Sequence, residues 1–532
     1  MAKRDRTQFA KWTQDTLQKG LNALNAGRVE EAHKYVRKVL KVSNDSMQAH
    51  FLAALIALQL GHKPSALKEF RVVTTLDPQN PDAWAHVAQL YMELGHPNDA
   101  ENALKQAIQY SDNSPNVEQI IATVFSLLGK QREALSWYEK STAKQPANIG
   151  FCLNHANCLM FLGEIDRAEE LLKRVLRMNP TVASAHWLLA GLKRAKDVSH
   201  LQQMQQLIST QRFLPPDVAY LQYACGKELE DLEDWGAAFD AFATGAAARR
   251  TTVQYDEQAE IDLFDTLQRV YTVGWLETGE RGISDASPIF VVGEPRSGTT
   301  LVERVISAHS SVQSAGELNY FTNGLLHLAG RDGAQRVTKE VIEVAATLDF
   351  SALGESYVEN TTRFRESAPY FVDKLPSNYL YIPLILKALP DAKIVHLRRS
   401  PMDSCFSTFK QLFLGAYEYS YDQEELARHY VRYYQLMDVW RDRFGDRFHD
   451  VTYEDFVRNL ESNARSLIEF LDLPWEDQCV HFHEQDSAVT TASAVQVRQP
   501  AHTRSIGRWR HYSSWLEPMR KVLETQNVPL EL

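Results

Sequence analysis

The sequence predicts an α plus α/β protein: a helical solenoid in the first half, then an α/β domain with a mostly parallel sheet. Two patterns carry this expectation. Glycines recur at 27, 61, 95, 129 and 163, a constant step of 34 residues. Past residue 287, short β-branched apolar runs alternate with helical patterns, as in folds built from strand–helix–strand units. The 532-residue length exceeds one hydrophobic core and suggests about two to four domains of roughly 100–200 residues.

In each repeat an alanine follows the glycine by five positions: Ala32, Ala66, Ala100, Ala134 and Ala168. A turn-former follows it by seventeen: Asn44, Pro78, Asp112, Pro146 or Pro180. The glycine ends a first helix. The alanine lets a second helix pack closely, and the turn-former stops the chain before the next copy. Trp84, Tyr91, Gly95, Ala100 and Ala107 stand where a tetratricopeptide repeat (TPR) has its signature residues, and the segment 13–196 resembles that repeat family. Such repeats stack into a curved array. Its concave face can hold a peptide or protein partner, or the array can be a scaffold or oligomerisation arm; both readings stand.

The register weakens over 197–287, read as degenerate helical repeats and a linker. One helix is expected from Ala183 to Lys193 and a worn pair from Val218 to Arg249. A closing helix is expected from Tyr255 to Trp275, then a linker from Glu277 to Ser287.

The α/β domain spans 288–532. Candidate strands are Ile289–Val292, Tyr370–Val372, Lys393–Leu397 and His449–Thr452, and ligands of such sheets sit beyond the strands' carboxyl ends. Pro288 to Val292 is followed by Gly293-Glu-Pro-Arg-Ser-Gly-Thr-Thr300, and Leu301, Val302, Val305 and Ile306 recur at helical spacing. A glycine-bearing turn feeding a helix N-terminus presents free N–H groups to an anion, usually phosphate. The nucleoside-triphosphate loop would carry lysine after its second glycine. Thr299 stands there instead, and the cation is Arg296 inside the loop.

PRSGTT resembles the 5′-phosphosulfate loop of sulfotransferases that use 3′-phosphoadenylyl sulfate (PAPS). Its arginine form is similar to that of the protein-tyrosine sulfotransferases and their bacterial relatives. The resemblance implies that Arg296, Ser297, Gly298, Thr299 and Thr300 hold the 5′-phosphosulfate, with no metal and with 3′,5′-ADP as product. Glu317, 21 residues beyond Arg296, matches the family's catalytic base; a hydroxyl attacking sulfur must lose its proton, and a carboxylate accepts it. Lys374 would stabilise the bridging oxygen as the S–O bond breaks, and Arg296 would also neutralise charge on the transferring group. Arg399 and Ser407 resemble the pair that binds the 3′-phosphate, and arginine's planar fork suits phosphate oxygens. Gln411 stands where the tyrosine enzymes have a further arginine. Tyr453 resembles the tyrosine that contacts the nucleotide. Ser505, Gly507 and Arg508 are candidates for a late basic loop over the cofactor, with Trp509 as its anchoring aromatic. For each residue a structural role stands beside the functional one: a turn, a surface loop, a core aromatic, or a salt bridge from Lys374 to Asp373.

A net charge of −11 argues against general nucleic-acid binding. Five cysteines without C-x-x-C spacing fit a reducing compartment, and the basic start is followed by no apolar stretch of secretory type. The densest apolar run, Phe51 to Leu60, is too short to span a bilayer. A cytoplasmic protein without a transmembrane segment is expected, unlike the membrane-anchored animal tyrosine sulfotransferases. The acceptor stays open between tyrosine in a peptide and a carbohydrate, lipid or small metabolite. A non-catalytic TPR adaptor with a nucleotide-binding domain is the reading from another class. Oligomeric state is not legible in these patterns.

Overall fold

The computed structural model describes residues 2–334, 336–365, 368–491 and 493–531. By backbone contact it divides into two units: residues up to 151 with 331–335, and the remainder from 152 onward.

Helical hairpins fill the first unit. Ala2–Asn25 pairs with Val29–Leu40, Met47–Gln59 with Lys63–Leu76, Pro81–Glu93 with Pro97–Gln109, and Pro115–Leu127 with Gln131–Lys144. The fifth hairpin, Ile149–Leu162 and Ile165–Met178, falls almost wholly in the second unit. The sequence period has a direct physical cause. Gly27, Gly61, Gly95, Gly129 and Gly163 all turn the chain in the left-handed region, φ between 73° and 84°, where side-chain-bearing residues are strained. Ala32, Ala66, Ala100, Ala134 and Ala168 are all fully buried, so the crossing helices meet at a single methyl.

The second unit is organised by a five-stranded, all-parallel sheet: β1 (Pro288–Gly293), β2 (Val312–Gly316), β3 (Tyr370–Asp373), β4 (Lys393–Arg398) and β5 (His449–Thr452). The order is β2-β3-β1-β4-β5, with Gly293 opposite Leu397 and Val395 opposite His449. Central β1 is buried on both faces, which explains its unbroken apolar run. Strand β2 carries no such signal. It is an edge strand with half-buried Gln313 and Ser314, and its register slips between Ser314 and Gly316. Because β3 and β4 flank β1 on opposite sides, a crevice opens beyond the carboxyl end of β1.

Residues 197–287 contribute to this unit's core. Helix Pro215–Asp231 packs with Trp235–Arg250, and Ala224, Phe239 and Phe242 share a core with Phe406, Phe409 and Tyr512 of the α/β part. The helix expected over Tyr255 to Trp275 is broken. Glu257–Val270 ends at Tyr271, and Thr272 accepts from the Trp275 N–H at 3.2 Å to start Val273–Glu277. A helix over Ser199–Thr210 has no counterpart in the repeat register. Among the described residues, no helix is long and apolar enough to cross a membrane.

Candidate active site

The loop leaves β1 under tight backbone constraint. Gly293 has φ 149°, and a Cβ there would lie 2.6 Å from the Leu397 carbonyl oxygen. Gly298 has φ 112°, and a Cβ there would lie 2.6 Å from the Tyr453 ring. Both positions require glycine. Ser297 donates its hydroxyl to the Glu294 carbonyl at 2.7 Å, closing the turn. Thr299 and Thr300, buried, begin the helix Thr299–Ser307, whose free N–H groups favour an anion.

Arg296 is itself left-handed, φ 64°. Its guanidinium donates to the Ser493 hydroxyl at 2.5 Å and the Gln496 side-chain oxygen at 3.0 Å. Burial, with the nearby Arg399 charge, lowers its pKa to about 10. Arg399, at the end of β4, donates to the Arg296 carbonyl at 2.8 Å and the Ser505 carbonyl at 2.7 Å. It lies 4.8 Å over the Tyr453 ring. The two arginines therefore share one site, although 103 residues separate them in sequence. The Nε groups of both are buried without a partner. Two cations whose named partners are all neutral, each with a donor left over, suit a multiply charged anion.

Glu317 follows β2 and Lys374 follows β3, and adjacent strands bring them into an ion pair. Lys374 is 1% exposed at its side chain and Glu317 40%, so the ammonium is fixed while the carboxylate reaches solvent. The salt bridge from Lys374 to Asp373 does not form. Asp373 instead turns inward and accepts from the Tyr357 hydroxyl at 2.9 Å and the Leu318 N–H at 3.4 Å; burial raises its pKa to about 7. Glu303, buried in the helix after the loop, is also pushed up by burial and is bonded by Ser314.

The remaining candidates are spread around this centre. Ser407 is half-buried in helix Pro401–Phe409, and its neighbour Thr408 is the residue that touches the loop, donating to the Pro295 carbonyl at 3.1 Å. Ser505 contributes its carbonyl, to Arg399. The Gly507 and Trp509 N–H groups donate to Asp403 at 2.5 and 3.2 Å. Arg508 turns to Glu230 at 3.0 Å. Lys410 and Tyr512 share that carboxylate. Burial works to raise Glu230, and the Lys410 and Arg508 charges overcome it, holding it at about 2.

Sequence reasoning missed a strap over 485–491 and 493–496, just before the late basic loop. Thr491 faces Thr300 at 3.4 Å, and Ser493 and Gln496 receive Arg296. The Val489 N–H and Arg498 both donate to the Phe161 carbonyl at 2.9 Å, tying the strap to the fifth hairpin. Arg304 donates to Ser487 and to the Phe482 and Gln485 carbonyls.

Among families, the sulfotransferase family matches residues 288–477 and the tetratricopeptide repeat residues 4–181. An uncharacterized protein of Aquifex aeolicus is 26% identical over 436 residues, 80% of this chain and 57% of its own length. Protein-tyrosine sulfotransferase 1 of Danio rerio is 25% identical over 235 residues, 42% of this chain and 66% of its own. The protein-tyrosine sulfotransferase of Drosophila melanogaster is 24% identical over 46% of this chain and 50% of its own. The chain thus spans about half to two thirds of the length of these relatives. A solved thermophilic TPR protein of Thermus thermophilus matches 34% of this chain and 98% of its own at 19% identity, TM-score 0.31. The chain therefore joins a tetratricopeptide repeat region to a sulfotransferase-family domain.

Proposed function

We propose that the chain transfers a sulfuryl group from PAPS to a hydroxyl acceptor, leaving 3′,5′-ADP, and that tyrosine in a peptide or protein is the acceptor. The observation that carries the donor assignment is the meeting of Arg296 and Arg399 at one loop, each with an unpartnered buried N–H. A nucleotide with phosphates at both ends needs two such grips, and ATP has nothing at its 3′ position to use the second.

PAPS supplies a sulfuryl group already attached to a good leaving phosphate. The protein's part is to hold and to move a proton. The loop N–H groups with Arg296 bind the 5′ end, and Arg399, with Ser407 at the edge, binds the 3′-phosphate. Tyr453 lies against the nucleotide. Glu317 accepts the proton of the attacking hydroxyl, and Lys374, fixed by burial, meets the charge that develops on the departing oxygen.

Tyrosine is favoured by the names of the curated relatives; the repeat array would recruit the peptide on its concave face. A sugar, lipid or small metabolite is the second reading, since the tyrosine enzymes match only 42–46% of this chain at about a quarter identity. Incubation with ³⁵S-labelled PAPS against peptide and glycan panels tests both, with Glu317→Ala as control. Label on a tyrosine peptide, lost in the variant, is expected. Label on no acceptor, together with no thermal stabilisation by 3′,5′-ADP, makes the protein a TPR adaptor. In the same thermal assay 3′,5′-ADP should stabilise more than ATP, and Arg399→Ala should remove the preference.

A further inference from the structure

Helix Gln423–Phe444 touches both halves of the cofactor site with consecutive residues. His429 Nε2 lies 3.2 Å from Glu294 Oε1, in the loop. Tyr430 donates its hydroxyl to the Arg399 carbonyl at 3.1 Å, at the end of β4. Glu294 is awkward for an anion site: a carboxylate, 2% exposed, between Gly293 and Pro295. Uncompensated, it would oppose an incoming phosphosulfate and pull its own loop toward solvent.

His429 answers that charge. It is 3% exposed, and its Nδ1 lies 2.8 Å from Glu260 Oε1. Tyr419 stacks flat on the imidazole, centroids 3.5 Å apart at 13°, and Phe264 meets it edge-on. The other groups facing this cluster are accounted for. Arg432 holds Glu260 and Glu257, Arg428 holds Glu257, and Tyr255 donates to Glu260. Tyr379, Tyr433 and Cys405, buried, and Tyr417, half-buried, interact with Glu294 as neutral groups. Wedged between two carboxylates, the imidazole donates from both nitrogens when protonated.

The geometry points to His429 as a positioning residue: by clasping Glu294 it fixes the 5′ loop against the strand end that carries Arg399, keeping both grips in register for one doubly phosphorylated nucleotide. The inference rests on the sulfuryl-donor reading and adds to it how the two grips are held together. Burial would lower the imidazole pKa, but the Glu260 and Glu294 charges overcome this and raise it to about 9. The clasp is therefore closed at neutral pH and opens as pH rises through that value.

The test separates the two ends of the nucleotide. Binding of adenosine 5′-phosphosulfate, adenosine 3′-monophosphate and 3′,5′-ADP is measured calorimetrically on the full chain. His429→Gln should weaken the 5′-ligand about tenfold and the 3′-ligand less than about twofold. Glu294→Gln keeps an acceptor without its charge. It should stay within about threefold of wild type at pH 7 and remove the wild-type step in 5′-ligand affinity near pH 9, leaving only the later fall that Arg296 itself brings near pH 10. Equal losses on both ligands, or none, overturn the inference. Should His429→Gln not fold, the pH profile of Glu294→Gln decides alone: a step near pH 9 like that of wild type, ahead of the fall due to Arg296, overturns it. A wild-type chain that binds no 3′,5′-ADP removes the donor reading, and this inference with it, before any variant is made.

Discussion

Glu317 and Lys374 meet because β2 and β3 are neighbours, and each has its own consequence. Glu317→Gln keeps the shape of the site and removes the carboxylate proposed as proton acceptor. Turnover should fall by about 10²–10⁴, with 3′,5′-ADP affinity unchanged by calorimetry. Asp373, one position before Lys374, behaves oppositely to a surface carboxylate. Its folded pKa, about 7, lies above its ordinary 3.8, so its contribution to stability is complete below pH 4 and is lost as pH rises through 7. Asp373→Asn should flatten that dependence and raise stability at pH 8 by about 1 kcal/mol, read from thermal unfolding. The positions of Arg296 and Lys374 were legible in sequence because each follows a recognisable strand, whereas Glu317 was marked only by its spacing from Arg296 and the family resemblance. Glu294 and His429 were not legible. A glutamate in a turn and a histidine on an amphipathic helix 135 residues away have no local sign of each other, and only the folded chain makes them partners.

The repeat hairpins were the easiest elements to read, since left-handed glycine and buried alanine are both chemical necessities with a fixed period. Two glycines of the same type should nonetheless differ on substitution. A Cβ at Gly61 meets nothing within 4 Å, so Gly61→Ala should cost only the backbone term, about 1 kcal/mol, in thermal unfolding. At Gly163 a Cβ would lie 2.6 Å from the Arg498 guanidinium carbon. Gly163→Ala must therefore displace the arginine that ties the strap to Phe161, and it should also weaken 3′,5′-ADP binding several-fold. Strand β2 and the helix Ser199–Thr210 escaped the sequence reading for a common reason: neither has a long apolar period. Their places are set by neighbours, β2 by β3 and the helix by burial of Leu201 and Met204.

Across the molecule, the helices before the sheet are held to it by acids meeting bases. Glu230 gathers Lys410, Arg508 and Tyr512; Glu257 and Glu260 gather Arg428, Arg432 and His429. Glu230→Ala leaves two cations with their carboxylate removed and should cost about 3 kcal/mol in denaturant unfolding. Residues 288–532 alone should fail to fold for the same reason, whereas 152–532 should give a cooperative transition. These contacts also sort the basic residues. Lys410 and Arg508 are bound to a carboxylate, so to a distant anion they are nearly invisible. Arg296 and Arg399 are moored by carbonyls, a hydroxyl and an amide, which orient a guanidinium but cannot neutralise it. In a protein of net charge −11 these two stand as a small positive spot, only partly countered by buried Glu454 near Arg399, and added salt should loosen nucleotide there while leaving the carboxylate-bound cations indifferent.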